Sequence, residues 1–283
     1  MKKIALFTIA IGKDPIYFDS VKRYFPYNKK YFGQKCDVDY FLFTDQHKEI
    51  ERITNIAIDK SSWPYTTLLK NNMISDYLSY HDKWDNYDNI FFIDADFAIG
   101  DYYDFFNHKF LLVEPYWNHI NGGGFFYGGE TAHFKRLCDL FYDEIRFIYE
   151  NKLPVPRDLD EYYLGLYRQN YKDDIHIIKM DTNTNTLIFY DNEVLDEKIK
   201  EQGSRIFMQP YKAEGRANKT IIKNYPAKRE MECIVNIEEK YIFDNYTYDF
   251  GRLLEIDKTN YRIFWNRYPE SREVLNIEEN IIS

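Results

Sequence analysis

The sequence predicts an α/β fold with a mainly parallel central sheet and a C-terminal appendage. Three observations carry this expectation. Over the first two-thirds of the chain, strand-like apolar runs alternate with stretches of helical periodicity, the pattern of a layered βαβ architecture. One run, Asn89-Ile90-Phe91-Phe92-Ile93, is apolar without alternation, as a strand covered on both faces must be. The length, 283 residues with 45% hydrophobic side chains, suits one large domain with a buried core and excludes wholesale disorder.

Residues 3–11 read as the first strand. Two lysines ahead of a short apolar run also suit the start of a signal peptide, but Thr8 interrupts the run and no small-residue cleavage site follows. Residues 15–31 read as a helix or helical hairpin, Tyr40–Thr44 as a second strand and 53–58 as a third. From Thr66 to about His81, Leu68, Leu69, Met73, Ile74, Tyr77 and Leu78 recur at helical spacing. The strand 89–93 runs into Asp94-Ala95-Asp96, another strand lies near 109–113, and a Gly-rich segment spans 121–129. A long helix then starts near Glu130 or Thr131, with Phe134, Leu137, Leu140, Phe141, Ile145 and Ile148 along one face. Pro154 and Pro156 close it, and a short helix is expected over 159–168. Beyond about residue 185 no clear periodicity continues, so residues 1–185 form the expected core and 186–283 its appendage.

Charge and composition narrow the function. Lys+Arg 37 against Asp+Glu 46 gives a net charge of −9, which excludes nucleic acid as the main partner. Three scattered cysteines, Cys36, Cys138 and Cys233, have neither disulfide-framework nor zinc spacing and fit a reducing compartment. No run approaches the ~20 apolar residues of a membrane span, so a cytoplasmic protein with at most peripheral membrane contact is expected. Aromatic residues reach 19%, with Tyr 27 and Phe 22. Such rings can stack on sugar faces, but a compositional bias toward Tyr, Phe, Ile, Asn and Lys explains them more simply.

Four segments could carry chemistry. Asp94 and Asp96 stand at the carboxyl end of a buried strand, where open α/β sheets bind ligands. Paired carboxylates there suit Mg²⁺ or Mn²⁺ shared with substrate phosphates. The pair Asp37 and Asp39 precedes its strand and is read as structural. A phosphatase with Asp94 as nucleophile would use the same strand end, but Phe97-Ala98 is the wrong continuation for it. The run Gly122-Gly123-Gly124-Phe125-Phe126-Tyr127-Gly128-Gly129 lets a ligand approach the backbone, or is simply a Gly-rich hairpin. Asp158-Leu159-Asp160-Glu161 opens the short helix, either as favourable charge at its N-terminus or as a carboxylate aimed at a reacting carbon. Trp63-Pro64-Tyr65 precedes a helix whose first turns carry Lys70, which solvation alone would explain.

In this order the segments resemble glycosyltransferase family 6, the blood-group A/B and α-1,3-galactosyltransferase-like family, in its shorter bacterial form. The resemblance runs from about Ile4 to Tyr167. Ile9, Ala10 and Ile11 resemble the family segment beside the uridine, and Tyr40 to Asp45 its second strand. Trp63-Pro64-Tyr65 with Leu68, Lys70 and Met73 is similar to a bacterial helix, and Asp94-Ala95-Asp96 to the metal-binding Asp-x-Asp. Gly124 and Phe126 to Gly129 resemble the acceptor- and donor-facing turn, and Asp160-Glu161 the acidic pair. Lys70 stands where the family has Arg, Glu114-Pro115 where it has His-Pro, and Leu159 where it has His. A sister family, or the lipopolysaccharide galactosyltransferases of family 8, shares this description.

The resemblance implies a single Rossmann-like domain of the GT-A type that transfers a hexose from a UDP-sugar with retention. Galactose or N-acetylgalactosamine would go to an oligosaccharide or lipid-linked glycan at the inner face of the membrane, in surface polysaccharide or lipopolysaccharide synthesis. Asp94 and Asp96 would hold Mn²⁺ or Mg²⁺, Glu161 would face the anomeric carbon, and Lys70 and Asp160 would hold donor hydroxyls. Tyr65, Gly123 and Phe125 would shape the sugar pocket, and Glu114 and Gly124 would touch the acceptor. The basic segment with Lys212, Arg216, Lys219 and Lys223 would close as a lid, though a solvated face or contact with anionic lipid would also account for it. A non-enzymatic sugar-binding module is the reading from another class.

Overall fold

The computed structural model describes residues 1–11, 16–58, 65–114, 122–151, 160–180, 187–190, 195–203, 205–210, 240–243 and 246–249. It is an α/β structure built on a seven-stranded mixed sheet. Strand β1 (Lys3–Ala10) leads to helix α1 (Ile16–Tyr31), then β2 (Asp37–Thr44), β3 (Thr54–Ala57) and helix α2 (Tyr65–Tyr80). Strand β4 (Asn89–Ile93), the two-residue β5 (Ala98–Ile99), β6 (Phe110–Glu114) and β7 (Gly123–Glu130) follow. Helices α3 (Thr131–Asn151) and α4 (Asp160–Asn170), strands β8 (Ile175–Lys179) and β9 (Leu187–Tyr190), helix α5 (Leu195–Gln202) and strand β10 (Phe207–Pro210) come next. An antiparallel pair, Lys240–Phe243 with Tyr246–Asp249, is the last described feature.

The main sheet has the order β3-β2-β1-β4-β7-β6-β8. All its pairings are parallel except those of β7, which runs against both β4 and β6. The sheet is mainly parallel, as expected, and mixed only through β7, so the Gly-rich segment is a full strand within it. Because β7 is reversed, its first residues lie at the edge where β1, β4 and β6 end. That edge also holds the switch point between β1 and β4, the place where such sheets bind ligands. Asp37 and Asp39 lie inside the start of β2, at the opposite edge.

Burial on both faces explains the apolar strands. In β1, Ala5, Phe7 and Ile9 face a core shared with α2, α3 and α4, while Ile4 and Leu6 face the other side. In β4, Ile90 and Phe92 take the first side, Phe91 and Ile93 the second. Helix α3 buries Phe134, Leu137, Cys138, Phe141 and Ile145 at helical spacing against this sheet. On the second face, Phe91 meets Phe32 edge-on at 5.4 Å and Phe126 stacked at 5.7 Å. Truncating Phe91 to Ala in so close a packing costs about 3–5 kcal/mol. The largest fully buried side chains are all Tyr or Phe, so much of the aromatic content is core.

The sequence left 15–31 open between a helix and a hairpin. It is one helix, with Pro26 inside and turned to solvent. Beyond residue 185, β10 pairs with β9 and with β5, forming a three-stranded sheet against the segment that follows β4.

Candidate active site

The turn after β4 explains why its two carboxylates face outward. The Asp94 N–H donates to the Phe125 carbonyl at 2.8 Å, and the Phe97 N–H donates to the Asp94 carbonyl at 3.1 Å. Between them Ala95 is buried beside Ala10 and Leu42. Phe97 is buried against Phe125, with ring centroids 4.1 Å apart. Alternation then leaves Asp94 and Asp96 partly exposed at the sheet edge where β1, β4 and β6 end. The Asp94 side chain retains 40% of its accessibility.

Lys70 ties that turn to two other segments. It projects from α2 with its side chain only 3% exposed. Its ammonium donates to the Gly124 carbonyl at 2.6 Å and stands 2.5 Å from Asp160 Oδ2 and 3.7 Å from Asp94 Oδ1. The same nitrogen lies 4.3 Å from the Phe92 ring centre. Burial pulls the ammonium pKa down, but the charges of Asp160 and Asp94 outweigh it, and the net direction is upward. The carboxylates beside Lys70 therefore favour its charged form.

Gly124 is small for a reason. A methyl group there would overlap the Asp160 carboxylate, so only glycine lets α4 bring Asp160 against β7. The Gly124 N–H donates to Glu161 Oε1 at 3.3 Å. Gly124 thus receives Lys70 on its carbonyl and holds Glu161 on its amide, through the two peptide groups that flank its Cα. The register of β7 against β6 jumps here, from Leu112↔Tyr127 to Val113↔Gly123, and such irregularities bend a strand beside a site. Below it, Gly128 has φ +151° and leaves no room for a Cβ against the Ile90 and Phe91 backbone. The Tyr127 hydroxyl, turned toward α2, donates to Asn71 Oδ1 at 2.8 Å.

The structure thus joins Lys70, Asp94, Gly124, Asp160 and Glu161 in one cluster. The expectation that Lys70 and Asp160 grip donor hydroxyls meets a pair closed on itself, with side chains 3% and 5% exposed. Among the described residues, their polar contacts are with each other, with Gly124 and with Asp94. Ile9, Ala10 and Ile11 are buried at the end of β1, and Gly123 opens β7 opposite Val113. Phe125 turns to the opposite face, 5.7 Å from Phe207, as part of the core. Glu114 ends β6 and pairs with Arg168 at 2.9 Å. Tyr65 starts α2, but its side chain, like Lys212, Arg216, Lys219 and Lys223, lies outside the described residues.

Two residues escaped the sequence reading. Arg168 lies about two turns along α4 from Glu161, and nothing in its spacing announces Glu114 as partner. Gln209 approaches Asp96 with its amide nitrogen 3.4 Å from Oδ2. Its signal was present: Ile206-Phe207-Met208 is a short apolar run of strand character closed by Pro210.

The donor set can be tested against a divalent ion. Among the described residues no group of three or more His, Cys, Asp or Glu is arranged to hold a metal ion, so these residues form no closed cage. The partly exposed Asp94 and Asp96 are hard oxygen donors, which fits Mg²⁺ or Mn²⁺ completed by phosphate and water and does not fit structural zinc. No described helix is long and apolar enough to cross a membrane. Neither a scan against protein-family models nor a search of curated proteins returns a match to this chain.

Proposed function

We propose that the chain is a retaining glycosyltransferase that moves a hexose, galactose or N-acetylgalactosamine, from a UDP-sugar to an oligosaccharide or lipid-linked glycan acceptor. The process would be surface polysaccharide or lipopolysaccharide synthesis at the cytoplasmic face of the membrane. One observation carries the reading. Residues from α2, the turn after β4, β7 and α4 meet through Lys70, Asp94, Gly124 and Asp160, with Glu161 held beside them. These are the segments on which the family resemblance rests, and they gather at the ligand-binding edge of the sheet.

The residues divide the work by exposure. Asp94 and Asp96, reachable from solvent, would hold Mn²⁺ or Mg²⁺ against the donor diphosphate. That ion, when bound, offsets negative charge developing on the departing UDP. Lys70, out of reach of solvent, acts on the protein instead. It fixes the Asp160 carboxylate, the Gly124 carbonyl and one edge of Asp94 before substrate arrives, so little reorganisation remains for the reaction. Glu161, half-buried on the Gly124 N–H, would stabilise positive charge at the anomeric carbon.

Release of UDP from a panel of UDP-hexoses, with Mn²⁺ and with EDTA, tests this directly. Release from UDP-galactose or UDP-N-acetylgalactosamine that needs Mn²⁺ and is lost in Glu161→Gln supports it. Phosphate release from simple esters with no action on UDP-sugars would replace it by a phosphatase using Asp94.

A further inference from the structure

We infer that Gln209 is a positioning residue of the divalent-cation site, holding Asp96 in a ligating orientation from outside the sheet that carries it. The inference rests on the reading of the Asp94-Ala95-Asp96 turn as a cation site.

The strand pairing sets the geometry. Strand β10 is antiparallel to β5, with Phe207 opposite Ile99 and Met208 opposite Ala98. Continuing that register puts Gln209 opposite Phe97, next to Asp96. The docking is tight. The Gly100 N–H donates to the Ile206 carbonyl at 3.1 Å, and a Cβ on Gly100 would press on Met208 and the Arg205 backbone. The Ile99 N–H donates to Asn28 Oδ1 at 2.7 Å, tying the same segment to α1. Phe207 anchors β10 among Phe105, Phe125 and Phe126. The backbone near Gln209 is thereby fixed, and its side chain, 7% exposed overall, has its amide nitrogen 3.4 Å from Asp96 Oδ2. A carboxylate only accepts, so the NH₂ end of the amide must face it. The contact at Oδ2 constrains the orientation of the Asp96 carboxylate as a whole. Carboxylates that bind metals are commonly held in this way, and removing the outer partner typically weakens metal binding about 10–100-fold.

The test measures Mn²⁺ affinity at saturating UDP on the full chain, by electron paramagnetic resonance of free Mn²⁺, for the parent, Gln209→Met and Gln209→Leu. Met copies the unbranched shape without a donor, and Leu changes the shape as well. Both variants should bind Mn²⁺ about 10–100-fold more weakly, with melting temperatures in EDTA close to the parent's. A role in packing alone would lower the melting temperature and leave the Mn²⁺ affinity unchanged. Affinities within threefold of the parent in both variants would overturn the role of Gln209 alone. Absence of Mn²⁺ binding in the parent would overturn the cation site, and the inference with it.

Discussion

Replacing Lys70 by Met asks how much one buried charge organises this site. In the parent, the Lys70 and Asp160 side chains are 3% and 5% exposed and 2.5 Å apart. Met keeps much of the stem against Phe92 but removes the ammonium, stranding the Asp160 carboxylate and leaving the Gly124 carbonyl without its donor. Breaking a buried pair from one side costs about 3–5 kcal/mol. At about 2–4 °C per kcal/mol for a domain of this order, the melting temperature should fall by roughly 6–20 °C. The double variant Lys70→Met/Asp160→Asn should recover much of that loss, because the cost lies in the uncompensated charge. The assay is thermal and urea unfolding. A loss below about 1 kcal/mol would refute the assigned role of the pair, given the magnitudes for buried pairs. So would a double variant as unstable as the single.

Other perturbations isolate the remaining parts. Glu161→Gln preserves shape and removes charge. It should lower kcat for transfer or donor hydrolysis on the order of 10²–10³-fold with UDP binding unchanged, and a rate within threefold of the parent would make Glu161 a helix-start residue only. Gly124→Ala drives a methyl into the Asp160 carboxylate and should cost about 1–3 kcal/mol as overpacking, read by urea unfolding; parent stability would contradict the close approach. His133, whose Nδ1 lies 3.0 Å from the Tyr167 hydroxyl, has its pKa lowered from 6.5, first by burial and then by the Arg136 charge. The unfolded chain therefore takes up a proton near pH 6.5 that the folded one refuses, and stability falls as pH drops through that range. His133→Gln should flatten that part of the pH–stability curve.

Much of the fold was legible because its strands are covered on both faces. Uninterrupted runs such as Asn89–Ile93 and the periodic face of α3 need little tertiary context to read. The direction of β7 was not legible, since glycines and aromatics in Gly123–Glu130 specify close contacts rather than a neighbour. Strand β8 went unread because Ile175-His176-Ile177-Ile178-Lys179 is short and partly exposed. At the site, the position of Asp94 and Asp96 followed from the strand end alone. The burial of Lys70 did not, because a lysine in the first turns of a helix is ordinarily solvated. It became a buried cation only through Asp160, 90 residues further along the chain. The strand that carries Gln209 is legible as the short apolar run Ile206-Phe207-Met208, but its pairing with β5, which brings Gln209 to Asp96, is not.

The central claim is that Asp94 and Asp96 bind a nucleotide diphosphate through a divalent ion, and one titration tests it. The melting temperature of the full chain is followed with UDP, with Mn²⁺, with both, and with both in Asp94→Asn and Asp96→Asn. At a hundredfold excess over Kd, binding adds about 2.7 kcal/mol, or roughly 5–11 °C at the same conversion. The expected result is such a shift with UDP and Mn²⁺ together, little with either alone, and most of it lost in each variant. No shift with both present, or an equal shift in EDTA and in both variants, would contradict it.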